Sequence, residues 1–151
     1  MAVAYFVDSS TLVKRYVPET GTAWVRGITR QRPGTVIYIA RITAVEVTCA
    51  VACRRQGRTL TPPRASSILY RFRQHLVARY TIIEVTPPLL DDAMRLGNMH
   101  ALRAYDAVAL EVNRSHRAGG HKPITLVSAD QPLNAAAAAE GLPVEDPNAH
   151  P

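Results

Sequence analysis

Short apolar runs alternate with longer amphipathic stretches along the whole chain. Val3 to Val7 has no polar break, the pattern of a strand buried on both faces. Asp8-Ser9-Ser10-Thr11 follows at once, with hydroxyls able to cap a helix running to about Tyr16. A second helix is predicted over residues 20–31, with Trp24, Val25 and Ile28 on one side, before a turn at Pro33-Gly34. Residues 35–39 are β-branched and aromatic and read as a strand. A helix is predicted over 42–55, stopped by Gly57, and another from Thr61-Pro62-Pro63 to about Arg79. The latter carries a basic outer face of Arg64, Arg71, Arg73 and Arg79.

The pattern continues with a strand over 81–85, a helix from Pro87-Pro88 through Met99, and one or two helices over 102–117 ending at Gly119-Gly120. A fourth strand is predicted at 124–127, an Ala-rich helix at 131–140 closed by Gly141, and a short last strand around Val144. Strands alternating with helices predict an α/β fold, with a mostly parallel sheet of roughly five strands and helices on both faces. Nothing repeats at a solenoid period. Residues 1–146 are expected to form one domain and 147–151 a tail.

Composition adds a charge argument. The chain has 151 residues, enough for a single well-formed core, and a net charge of +6 from 18 bases and 12 acids. All the bases but Lys14 and Lys122 are Arg. Arg presents a planar fork of donors to phosphate, so the charge points toward a nucleic-acid partner. The same bias also fits a proteome in which Arg generally replaces Lys. No basic leader precedes the first apolar run, and no stretch approaches a membrane span. A cytoplasmic protein with no membrane partner is expected. Cys49 and Cys53 share a helix face among Val45, Ala50 and Ala52 and read as small buried thiols. The five His are scattered and give no zinc set.

Against this basic background four acids stand out: Asp8, Glu46, Asp106 and Asp130. Setting these four aside leaves eight acids against 18 bases. Asp8 follows the first strand and Asp130 the fourth, where open α/β sheets place their sites. Both acids could instead be helix N-caps, although Ser9 and Ser10 could take that job from Asp8. Glu46 lies in the nearly apolar stretch Ile42 to Ala52, where a Glu needs a partner; a salt bridge to Arg41 is the bland alternative. Asp106 is flanked by Tyr105 and Ala107-Val108, and an N-cap of a helix starting at Ala107 is its bland alternative. Ser128 is placed to hold a carboxylate or a water. Glu111 is expected to face solvent, and Asp91-Asp92 to suit the start of a helix. Four carboxylates in one cleft repel each other unless a cation lies between them. Mg²⁺ or Mn²⁺ is the ion expected of an all-oxygen set.

With these blocks in place, the chain resembles the PIN-domain family, and specifically the VapC-type toxins of VapBC toxin–antitoxin pairs. The resemblance rests on Val7-Asp8-Ser9-Ser10-Thr11-Leu12-Val13-Lys14 with Tyr16-Val17-Pro18-Glu19-Thr20-Gly21, and on Ile42-Thr43-Ala44-Val45-Glu46. It rests equally on Leu102-Arg103-Ala104-Tyr105-Asp106-Ala107-Val108 and on Leu126-Val127-Ser128-Ala129-Asp130 with Leu133, Ala136-Ala137 and Gly141-Leu142. Two departures are Glu111 and Asn113 where a small residue or Thr is usual, and Ser128 where Thr is usual. The resemblance implies a PIN-like three-layer α/β/α sandwich and a metal-dependent endoribonuclease acting on structured RNA such as tRNA or rRNA. It also implies a homodimer and a VapB-type antitoxin. Asp8, Asp106 and Asp130 would hold the ion, Glu46 would complete the cluster or orient water, and Ser9 and Ser128 would support them. A solitary RNA-processing nuclease and a silent RNA- or protein-binding scaffold carry the same resemblance.

Other chemistries lack their residues. An aspartyl phosphohydrolase usually has a second Asp two positions after the first, where Ser10 stands. A receiver domain needs an acid pair at the first strand and a Lys after the last, and neither is present. There is no Gly-rich first turn for a dinucleotide, no Gly-x-Ser-x-Gly elbow, and no His at a strand end for a two-step ribonuclease.

Overall fold

The computed structural model describes residues 3–118 and 124–151. The expected helix end at Gly119-Gly120 and Lys122 lie outside the described residues. In chain order the elements are β1 (Val3–Val7), α1 (Ser9–Tyr16), α2 (Thr22–Ile28), β2 (Thr35–Ala40), α3 (Arg41–Gln56), α4 (Pro62–Ala78) and β3 (Thr81–Ile83). They continue with α5 (Pro87–His100), α6 (Ala104–Ala118), β4 (Ile124–Val127), α7 (Gln131–Ala139), β5 (Val144–Glu145) and a 3₁₀ turn, Pro147–Ala149.

The five strands form one sheet in the order β3-β2-β1-β4-β5, with every pairing parallel. The sheet is therefore wholly parallel. Period-two alternation divides its residues between two cores. Ala4 and Phe6 of β1 and Ile124 and Leu126 of β4 point into a core with α5, α6 and α7. Val7, Ile37, Ile39 and Val127 point into the other, with α1, α3 and α4. Helices thus cover both faces, which is why the strands read as unbroken apolar runs.

Two elements are shorter than the periodicity predicts. Gly21, at φ 85°, turns the chain immediately before α2, which ends at Ile28 rather than reaching the Pro33-Gly34 turn. β3 stops at Ile83 because its partner β2 stops at Ala40, directly opposite. The last residues are tied down. A side chain at Gly21 would meet the Pro147 carbonyl at 2.3 Å, and the Trp24 and His150 rings stack at 4.2 Å. Cys49 and Cys53 are exposed, against expectation. The buried face of α3 is Thr43, Val47 and Val51, and 49 and 53 lie about 200° around the helix from 47 and 51.

No helix among the described residues is long and apolar enough to cross a membrane. β1 lies between β2 and β4, so the chain leaves it in opposite directions across the sheet. That switch opens a crevice beyond the carboxyl ends of β1 and β4.

Candidate active site

Asp8, Ser9, Ser10, Glu46, Arg103, Tyr105, Asp106 and Asp130 line one cleft of about 210 Å³ in that crevice. Four chain segments converge there. Asp8 ends the β1 run and N-caps α1 itself: its Oδ2 accepts from the Ser10 amide at 3.2 Å and the Ser10 hydroxyl at 2.8 Å. The caps expected of Ser9 and Ser10 are therefore not used. Every one of these bonds falls on Oδ2, and the buried Ser128 hydroxyl adds another at 3.3 Å, so among the described residues Oδ1 takes part in none of them.

Asp130 also has two duties. Its Oδ1 caps α7 by accepting from the Leu133 amide at 3.0 Å, and its Oδ2 accepts from Arg103. Asp106 is not an N-cap, because α6 begins at Ala104 and places the carboxylate inside the first turn. Glu46 projects from α3 and does not pair with Arg41, which binds Glu84 on the surface instead.

A hydroxyl network joins the two strand ends. Ser10 Oγ accepts from the Ala129 amide at 3.0 Å, and Ser128 Oγ accepts from the Asp130 amide at 3.0 Å. The two hydroxyls lie 3.3 Å apart. The Asn134 amide donates to the Ser128 carbonyl at 2.8 Å and steadies the β4–α7 turn. Ser10, rather than Ser9, is the link across the sheet. Ser9 instead lines the cleft together with Glu46.

The electrostatics follow from crowding. Burial first, then the charge of Asp8, pushes the Glu46 carboxyl up to about 7; Asp106 adds to this, while Ser9 and Arg103 oppose it. Burial also raises Asp106, helped by Asp130 and Asp8 and opposed by its hydrogen bond to Arg103. Arg103 is the cation among these acids. Its Nε donates to Asp106 at 2.8 Å while Nη2 binds Asp130. Sequence reasoning missed its role, although an Arg three residues before a helical Asp is the available signal.

Glu111 is buried rather than solvent-facing, because α6 is packed on several sides; Arg114 holds both its oxygens at 2.8 and 3.1 Å. Neither Glu111 nor Asn113 lines the cleft.

The donors facing the cleft are carboxylate and hydroxyl oxygens, the set preferred by Mg²⁺ or Mn²⁺. Among the described residues no three acidic, His or Cys side chains converge on one point as they stand. Asp106 and Asp130 are drawn instead onto the Arg103 guanidinium, a stand-in cation. The residues fit a divalent ion that takes its place.

No family model matches the chain, and no curated protein matches it in sequence. Solved structures do match in fold. PAE2754 from Pyrobaculum aerophilum is 23% identical, with 99% of this chain and 93% of that chain covered and a TM-score of 0.66. A toxin–antitoxin complex from Klebsiella pneumoniae is 18% identical, with 95% and 98% covered and a TM-score of 0.63. VapC20 of Mycobacterium tuberculosis, a sarcin–ricin-loop-cleaving toxin, is 17% identical, with 88% and 95% covered and a TM-score of 0.65. The fold is the PIN-like α/β/α sandwich of these neighbours.

Proposed function

We propose that the chain is a divalent-metal-dependent endoribonuclease, the toxin of a VapBC-type toxin–antitoxin pair. The observation that carries this reading is the meeting of Asp8, Glu46, Asp106 and Asp130 around one arginine at the sheet's switch point. Two structural neighbours support it. One is a toxin that cleaves the sarcin–ricin loop and the other a toxin held in a complex with its antitoxin.

Asp8, Asp106 and Asp130 would hold a Mg²⁺ or Mn²⁺, with Glu46 beside them. When bound, such an ion withdraws charge from the phosphoryl oxygens and acidifies a neighbouring water. Glu46, with a proton affinity suited to neutral pH, accepts the proton of the attacking water. The water oxygen bonds to phosphorus, the bond to the 3′ oxygen breaks, and that oxygen takes a proton from solvent. The products are a 5′-phosphate and a 3′-hydroxyl, and the RNA 2′-hydroxyl takes no part. Arg103, released from its carboxylates, binds a flanking phosphate. Ser9, Ser10 and Ser128 keep the carboxylates oriented.

The same reading assigns a structured RNA substrate in the cytoplasm, a VapB-type antitoxin that blocks the cleft, and a homodimer. An apolar groove lined by Ile42, Val45, Val85, Leu90 and Val108 beside Tyr105 supports the self-association. Sedimentation velocity tests it, and a monomer at every concentration would count against the dimer. The activity is tested by incubating folded rRNA and tRNA with the protein in Mg²⁺, Mn²⁺ or EDTA. Cleavage in the ions and none in EDTA is expected; RNA binding without cleavage in any condition would favour a silent scaffold.

A further inference from the structure

A second cleft, of about 550 Å³, is lined by six arginines: Arg15, Arg26, Arg30, Arg32, Arg71 and Arg79. It lies at the other end of the sheet from the acids. α1 starts at the acid cleft, and Arg15 sits in its last turn, about 10 Å further along the helix axis. Arg30 and Arg32 belong to the loop that leads into the amino end of β2, and Arg79 caps α4 just before the start of β3.

Three observations make this more than a basic surface. No acid lines the cleft, and none of the six is in an ion pair among the described residues. Neutral groups anchor two of them, so their charge stays uncompensated: Arg15 donates to the Thr29 hydroxyl at 2.6 Å, and Arg26 to the Arg15 carbonyl at 3.0 Å. The field is also felt below. His75, bonded to Tyr16 at 2.7 Å, is pushed down to about 4 by burial and then by the charges of Arg79, Arg15 and Arg71.

We propose that this cleft binds the phosphate backbone of the RNA whose scissile bond lies in the acid cleft. The inference rests on the nuclease reading for the identity of that RNA. Arginine forks match phosphate oxygens two at a time. Apart from the arginines the walls are Tyr16, Gly27 and Gln31, which give an acidic peptide no apolar pocket for its side chains. The two clefts stand at least about three base steps apart at ~3.4 Å each, so only a folded or extended RNA reaches both. The selected substrate is then one with a phosphate ridge at a fixed distance from the cut.

The test is fluorescence anisotropy of a labelled 24-nucleotide RNA hairpin with the full chain in EDTA, across a salt series. Arg30→Ala/Arg32→Ala is compared with Arg64→Ala/Arg73→Ala, an equal loss of charge from exposed positions outside the cleft. Arg30 and Arg32 are exposed loop residues, and circular dichroism melts verify that both pairs are folded. The cleft pair should weaken binding about tenfold and lower the salt slope by about 2, while the control pair costs less than twofold. Equal losses from the two pairs, or no loss from the cleft pair, would overturn the proposal. So would a hexaglutamate peptide that the wild type binds as tightly as RNA and the cleft pair does not bind. With no turnover in EDTA, this outcome is independent of whether the acid cleft cleaves RNA, so the two readings fail separately.

Discussion

The cleft beyond β1 and β4 holds four carboxylates and one arginine in about 210 Å³, while the cleft at the amino end holds six arginines and no acid in about 550 Å³. The two face similar electrostatic problems and solve them differently. Arginine keeps its charge at an open surface with little penalty, so six can gather without a counter-charge. Carboxylates in a half-buried crevice raise one another's proton affinity and need a cation. Arg103 supplies one, at the cost of occupying the place where chemistry would happen. A crowded negative site therefore demands an explanation in chemistry, whereas a positive one is explained by holding.

The comparison breaks most visibly at Asp106. Asp106→Asn should reduce RNA cleavage roughly 10²–10³-fold while leaving hairpin binding in EDTA at least as tight as in the wild type. A parallel loss of binding would mean that the acid cleft grips rather than cuts. Glu46→Gln should cost about 100-fold in rate. In the wild type, Mn²⁺ affinity should rise with pH by up to about tenfold per unit until about 7, because Glu46 must first lose its proton. Calorimetric titration checks this, and an affinity flat between pH 5.5 and 7.5 would contradict it.

A smaller effect sharpens the stand-in role of Arg103. Arg103→Gln should tighten Mn²⁺ binding only several-fold, because the competing side chain is 76% exposed and its attraction to the carboxylates is screened by water. Unchanged affinity would show that the arginine does not compete. The smallest effect is on stability. The folded chain holds the Glu46 proton up to about 7, whereas the unfolded chain releases it near 4.5, so the contribution of this group is full below 4.5 and lost as pH rises through 7. Glu46→Gln should therefore raise Tm by about 2–4 °C at pH 8 and by almost nothing at pH 4.5, in a differential scan.

Much of this was legible in the sequence because strand ends are local features. The unbroken runs Val3–Val7 and Ile124–Val127 locate β1 and β4, and with them Asp8 and Asp130. Tertiary contacts were not legible. Ser10 joins Ala129 across the β1–β4 seam, and Arg103 reaches Asp130 over 27 residues of sequence; neither contact has a periodic signature. Glu111 was misjudged because a helix packed on several sides buries even its charged positions, and the bidentate grip of Arg114 neutralises it in place. The thiols were misjudged for the opposite reason. Small neighbours suggested burial, but the face of α3 that meets the core is set by Val47 and Val51. The second cleft is spread over four segments: Arg71 and Arg79 were legible as part of the basic face of α4, but their meeting with Arg15, Arg26, Arg30 and Arg32 is tertiary and was not.

Cleavage of a folded, end-labelled rRNA fragment by wild type and Asp8→Asn, purified in parallel and assayed in Mn²⁺ and in EDTA, tests the central claim most directly. The account predicts discrete cuts bearing 5′-phosphates from the wild type in Mn²⁺ alone, and none from Asp8→Asn although it melts as the wild type does. Equal cleavage by both proteins, or cleavage that persists in EDTA, would contradict it.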